Sequence, residues 1–230
     1  MPSPGNGPGH DWAVESAGPP WLESALGLLG AGESEEGSRL ARQLAFLLEL
    51  DKAKQVLRRT YVTDGSRREN DAGHMWHATL AALVLAEHAG EAVEPTRLAL
   101  MLAVHDVVEI DAGDTFIYDE AARADKVARE QQAAERIFGL LPEDQGKLFS
   151  SLWEEFEERA TPTAKMAAAI DRLLPLLMNR AVEGRTWREH NITAGQVLAV
   201  NAHINEGSPR LWELARTVLE GAVEEGVLEA

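Results

Sequence analysis

The sequence contains no cysteine. That excludes disulfides, thiolate nucleophiles, iron–sulfur clusters and cysteine-based zinc sites, so any metal must be held by His, Asp and Glu. Positive charge is scarce as well: 22 Lys and Arg stand against 38 Asp and Glu, a net charge of −16. Nucleic-acid polymers and anionic lipid reward basic surfaces through counterion release, so neither a nucleic-acid polymer nor a membrane is expected as a partner. A nucleotide substrate stays open, because one local Arg can hold a phosphate. No apolar run reaches the roughly 18 residues of a membrane-spanning helix. The opening stretch MPSPGNGPGHDW has neither a basic start nor an apolar centre. It does not read as a signal peptide, and a cytoplasmic location is expected. A phosphate-cradling glycine-rich loop and a G-x-S-x-G elbow are both missing.

What is present reads as a globular chain, 45% apolar and 26% charged over 230 residues. Residues 1–35, rich in Pro and Gly, are expected as a disordered tail. WLESALGLLGAG (21–32) could form a short amphipathic helix within it, and GESEEGS (32–38) reads as a linker in which Ser38 caps the next helix. Residues 36–230 are expected as a helical bundle, with a core over about 40–180 and further helices over 181–230. Leu40, Leu44, Leu47, Leu48, Val56 and Leu57 keep a three-to-four spacing, which YVTDGSRREND (61–71) breaks at Asp64-Gly65. Helices are expected from His74 to His88, from Pro95 through a nearly all-apolar Leu98–Val108 stretch, and from Glu120 to Phe138. Others are expected over 142–159, from a Thr161-Pro162 start to about Val182, over 193–204 and over 208–227. Period-two β-branched runs are nearly absent, so the fold class is all-α.

The informative feature is His105-Asp106 at the close of the apolar run LALMLAVHD. Buried charge is costly unless paired or bound to metal. The plain alternative is a helix end where both side chains reach water. His74 lies 31 residues upstream, and Asp171 sits 65 residues after Asp106 inside MAAAIDRLLPLL, where the alternative to a metal is a salt bridge such as one to Arg172. His77, one turn after His74, reads as an ordinary core histidine, and His10 and His88 as exposed. Trp76, Trp153, Trp187 and Trp212 read as packing residues.

The set His74, His105-Asp106 and Asp171 resembles that of the HD-domain metal-dependent phosphohydrolases. Three blocks carry the resemblance further: RRTYVTDGSRRENDAGHMWH (58–77), LALMLAVHDVVEIDAGD (98–114) and LPEDQGKLFSSLWEEFEERATPTAKMAAAIDRLLPLL (141–177). They look like successive blocks of the subgroup that includes the 5′-deoxyribonucleotidases, in order and spacing, over about residues 40–180. The resemblance implies an HD-domain helical bundle whose metal ligands are His74, His105, Asp106 and Asp171. Two imidazoles and two carboxylates suit one divalent ion, Mn, Co, Fe, Ni, Zn or Mg, with Mg the weakest fit to two histidines. Between Asp106 and Asp171 there is no histidine, whereas two-metal members carry extra ones there, so a single ion is expected.

The same resemblance assigns Glu109, three residues after Asp106, as general acid/base. It gives Asp114, after Gly113, a secondary role in orienting water or substrate, and Arg59, 15 residues before His74, the substrate phosphate. Arg58, Arg67 and Arg68 compete with Arg59 for that task. Thr60 stands where some deoxyribonucleotidases have an aromatic side chain, and Gly73 where many relatives have an acidic residue before the first metal-binding His. The implied activity is removal of phosphate from a nucleoside 5′-monophosphate or similar phosphomonoester, and the implied assembly is a homodimer. Alternatives are a non-catalytic module in which the metal is a structural staple, and a hydrolase of another phosphorylated metabolite such as a guanosine polyphosphate.

Overall fold

The computed structural model describes residues 35–119 and 125–230, together with positions 21, 24 and 27. The expected tail therefore lies almost wholly outside the described residues, though Trp21, Ser24 and Gly27 are helical. The linker reading of 32–38 needs correction, because helix α1 spans Glu35–Leu50 and takes in Ser38. An acidic residue in a first turn suits the positive end of the helix dipole, which a composition-based linker reading overlooks. Beyond a short 3₁₀ turn, Asp51–Lys54, the helical spacing of Val56 and Leu57 does not continue. Leu57–Tyr61 is strand β1, paired antiparallel with β2, Arg68–Asn70. Asp64-Gly65 makes the hairpin turn: Gly65 has φ +68°, and the Asp64 carboxylate accepts from the Ser66 backbone N–H at 2.9 Å. The hairpin escapes hydropathy because a buried face of β1 carries Arg58 and Thr60 in place of apolar side chains.

The rest of the described chain is helical: α2 (Asp71–Leu85), α3 (Pro95–Val104), α4 (Glu109–Ala112), α5 (Lys126–Phe138), α6 (Glu143–Glu158), α7 (Pro162–Ala181), α8 (Arg185–Glu189), α9 (Ala194–Asn201), α10 (Ile204–Gly207) and α11 (Pro209–Glu224). The all-α expectation holds, and the small hairpin and an isolated bridge between Thr193 and Glu229 are its additions among the described residues. Caps act where the sequence placed them. Glu94 accepts from the N–H groups of Thr96 and Arg97 before Pro95, and Thr161 accepts from Ala164 N–H before Pro162.

Helix α7 is the centre of the bundle, buried at Ala164, from Met166 to Asp171, and at Leu173, Leu174 and Leu176. A helix apolar nearly all round has to be enclosed by others, and α3, α6, α10 and α11 enclose it. At Gly207 in α10 a Cβ would collide with the Lys165 carbonyl, so only glycine permits that approach to α7. The apolar stretch expected as one helix through Val108 is divided. α3 ends at Val104, and His105–Val108 are turns in which Val107 and Glu109 donate to carbonyls three residues back. This tighter winding sets His105, Asp106 and Glu109 at the inner end of α3. No helix of the described residues is long and apolar enough to cross a membrane.

Trp153 and Trp187 are buried as expected, but Trp76 is 66% exposed, and His88 is half-buried where exposure was expected. His203, between α9 and α10, leaves Nε2 buried without a hydrogen-bond partner among the described residues. Burial, with Arg159 and Arg172 adding to it, lowers its pKa from 6.5 to about 4. The unfolded chain therefore takes up this proton first as pH falls, and stability is lost between pH 6.5 and about 4. After discounting for its partial exposure, the histidine should cost about 1 kcal/mol between neutral pH and pH ~5, or roughly 2–4 °C in Tm. His203→Gln should remove that share of the acid loss; identical pH profiles of Tm for parent and variant would refute it.

Candidate metal centre

Three helices converge on one buried cluster. The first turn of α2 supplies His74, the end of α3 supplies His105 and Asp106, and the middle of α7 supplies Asp171. One donor atom from each of the four residues lies within 4.8 Å of all the others. His74 Nε2 is 2.9 Å from Asp171 Oδ1, and His105 Nε2 is 3.2 Å from Asp106 Oδ2 and 3.6 Å from Asp171 Oδ1. Asn70 begins α2 by accepting from Gly73 N–H at 2.8 Å, which aims the following His74 inward.

The surroundings orient both imidazoles. His105 Nδ1 is 2.9 Å from the Leu102 carbonyl, so that nitrogen carries a proton, and Nε2, buried with no hydrogen-bond partner among the described residues, is the nitrogen able to face a cation once its own proton is gone. Phe156 packs on the His105 ring at 5.0 Å between centroids. His74 Nδ1 lies 3.5 Å from Glu69 Oε2. Both histidine side chains are fully enclosed, whereas those of Asp106 and Asp171 keep 12% and 9% exposure. The opening of the cluster is therefore on the carboxylate side.

Charge is lopsided. Glu69, Asp71, Asp106, Glu109 and Asp171 are all buried here, and among them runs the Arg58 guanidinium. Arg58 Nη1 donates to Asp106 and, at 3.3 Å, to Asp71, and its Nη2 is 3.8 Å from Asp171. Burial disfavours charge on Arg58, yet Asp106, Glu109 and Asp171 hold its pKa well above the usual value. Burial likewise opposes charge on His105, but the Asp106 carboxylate, with Asp171, outweighs it and pushes the pKa up to about 10. Against the same burial penalty, His105 and Arg58 hold Asp106 below the usual carboxylate range, and Arg172 with the two histidines holds Asp171 well below it. Glu109 goes the other way. Burial, then Asp106 and Asp71, drive its carboxyl well above the ordinary value, and burial and Asp106 bring Asp71 up to about 7. So many buried carboxylates around one guanidinium call for a further positive charge, either protons or a cation. The mixed nitrogen–oxygen donor set and the unspent His105 Nε2 fit a divalent ion.

Not every expected residue joins the four donors. Glu109 belongs to a neighbouring trio with Asp71 and Asp106, where Arg58 already sits as counter-charge. Asp114 and Arg59 line a cleft beside the cluster, together with Arg58, Phe116, Tyr118 and Arg172. Burial raises the pKa of Asp114, an effect that Arg58 and Arg59 oppose. Arg59 itself is exposed and makes no salt bridge among the described residues. His77 stays outside the cluster, half-buried. Asp71 and Glu69 were missed as site residues. Their signal was acidic residues immediately before and at the start of the helix that carries His74.

A family model described as HD domain matches residues 50–212. The chain belongs to the HD domain family. A crystal structure described as a predicted metal-dependent phosphohydrolase from Magnetospirillum magnetotacticum is similar to this HD domain, with a TM-score of 0.82 and 51% identity over 86% of this chain and 99% of that one. Human 5′-deoxynucleotidase HDDC2 is 31% identical over 160 residues, which cover 66% of this chain and 77% of the relative. The Xenopus laevis 5′-deoxynucleotidase HDDC2 is 28% identical over 187 residues, 76% of this chain and 92% of the relative. The three blocks that resemble HD-domain phosphohydrolases, between residues 58 and 177, all lie within the span that the family model matches.

Proposed function

We propose that this HD domain is a metal-dependent phosphomonoesterase that hydrolyses nucleoside 5′-monophosphates to the nucleoside and inorganic phosphate. The observation that carries the reading is the four-donor cluster, least enclosed at its two carboxylates, beside a cleft lined by Arg58, Arg59 and Asp114. The named activity of the HDDC2 relatives supports the nucleotide as substrate.

In this reading His74, His105, Asp106 and Asp171 hold one divalent ion. Such an ion lowers the pKa of bound water and polarises a phosphoryl oxygen. Arg59, exposed in the cleft and without a salt bridge among the described residues, takes two phosphate oxygens through its paired N–H groups. Arg58 is committed to the carboxylates and keeps Asp71, Asp106 and Asp171 together; it positions rather than binds substrate. Glu109, whose carboxyl retains its proton more readily than an ordinary one, delivers a proton to the departing nucleoside oxygen. Asp114, at the mouth of the cleft, orients water or substrate. The test is phosphate release from nucleoside monophosphates, sugar phosphates and nucleoside polyphosphates with Mn, Co or Mg added. Turnover confined to the polyphosphates would overturn the monophosphate reading, and none with any ester would leave the metal as a staple.

We also propose a homodimer in the cytoplasm. Trp76, Leu80, Leu83 and Val84 form an i, i+4, i+7, i+8 stripe along α2, exposed by 66%, 43%, 54% and 68%. Such a stripe suits a two-fold interface. Leu83→Glu with Val84→Glu should convert the dimer to a monomer in sedimentation equilibrium without disturbing the helical circular dichroism. A parent protein that already sediments as a monomer would sink the proposal.

A further inference from the structure

The cleft beside the metal centre continues along α7. Arg172, Leu176 and Asn179 follow one another on one face of that helix, and all three line the cleft. Eight residues separate Asp171 from Asn179, about 12 Å of helix rise. A nucleoside monophosphate with its phosphate near Asp171 would direct its base towards this end. Trp187, Val197 and Val200 supply apolar wall there.

Among the polar side chains that share this end of the cleft, Asn179, Thr186 and Asn201, Asn179 stands apart. It is 6% exposed, and its Oδ1 is buried with no hydrogen-bond partner among the described residues. A buried amide oxygen left unpaired is costly, and native structures rarely tolerate one without a ligand or water. Neighbouring polar side chains are already spent on backbone. Asn201 Nδ2 donates to the Val197 carbonyl at 2.8 Å, and Thr186 Oγ1 donates to the Arg59 carbonyl at 3.1 Å. The carboxamide of Asn179 thus stands ready in an apolar wall, about two helical turns beyond a proposed metal ligand.

We infer that Asn179 selects the base of the substrate, and that the base it takes is adenine. This rests on the nucleotidase reading above. A carboxamide offers a donor and an acceptor in one plane, the complement of the N6–H and N7 edge of adenine. A site built to hydrogen-bond a substrate discriminates against analogues that lack the partner, because its own polar group then stays unpaired.

The test compares kcat/KM for deoxyadenosine 5′-monophosphate with that for the purine deoxyriboside 5′-monophosphate lacking the 6-amino group, in the parent, in Asn179→Leu and in Asn179→Asp. The parent should prefer the amino-bearing substrate by ~10-fold or more, expressed mainly in KM. Asn179→Leu should bring the ratio close to one. Asn179→Asp keeps the shape of the side chain and an acceptor for the 6-amino group but loses the donor to N7, so it should keep the preference for the amino-bearing substrate while kcat/KM falls for both nucleotides, and it serves as the readout if the Leu variant fails to fold. An equal preference in the parent and in Asn179→Leu, or an unchanged kcat/KM in Asn179→Asp, would overturn the inference while leaving the hydrolase reading intact. No phosphate release from either nucleotide by the parent would overturn the hydrolase reading, and this inference with it.

Discussion

Asp171→Asn should purify without its metal. The substitution keeps the shape of the side chain and removes the charge that faces His74 Nε2 at 2.9 Å and His105 Nε2 at 3.6 Å. Loss of an outer partner of a ligand typically weakens metal binding ~10–100-fold, and loss of a ligand itself should exceed that. Elemental analysis after dialysis should give one divalent ion per parent chain and less than about a tenth of that for the variant, with phosphate release falling in step. Asp171→Ala should behave alike. The two imidazoles and Asp106 would remain, but three donors with one fewer negative charge make a weak site. An unchanged metal-to-protein ratio would remove Asp171 from the ligand set.

Glu109→Gln should separate metal from turnover. Glu109 is not one of the four clustered donors, and it sits against Asp106 and Asp71 with Oε2 buried and without a hydrogen-bond partner among the described residues. The amide is isosteric and cannot pass a proton to the departing oxygen. General acid–base groups contribute ~10²–10⁴-fold, so kcat should fall by that range with metal content unchanged. The loss should be smaller for a phosphate ester whose leaving group needs no proton, such as p-nitrophenyl phosphate. A metal-replete, fully active Glu109→Gln protein would take Glu109 out of the chemistry. A variant that loses its ion together with its activity would make Glu109 a holder of metal rather than a proton carrier.

Much of the fold was legible because helices declare themselves locally. Pro95 after Glu94, Pro162 after Thr161 and the apolar run of α3 are each decided within a few residues, by capping and by the need to bury an apolar face. The hairpin was not legible, since β1 buries Arg58 and Thr60 where hydropathy looks for apolar side chains. The exposed stripe of α2 was hidden for the opposite reason: Trp76, Leu80, Leu83 and Val84 have the composition of a core without being in it. Of the candidate site, His74, His105, Asp106 and Asp171 were named from the pattern of blocks, and they are close together in space. Arg58, weighed only as a rival to Arg59, is instead the guanidinium threaded between the carboxylates.

By itself the sequence determined the helical class and the absence of any thiol chemistry, because those arise from composition, local caps and periodicity, and its resemblance to the HD-domain phosphohydrolases named the candidate metal donors. Only the tertiary structure decided which charges are buried and what they face. Arg58 meets Asp106 across 48 residues of chain, and His74 meets Asp171 across 97. The low-dielectric interior tolerates such groups only when partners arrive from distant segments, and that arrival is a property of packing, which no local stretch of sequence records.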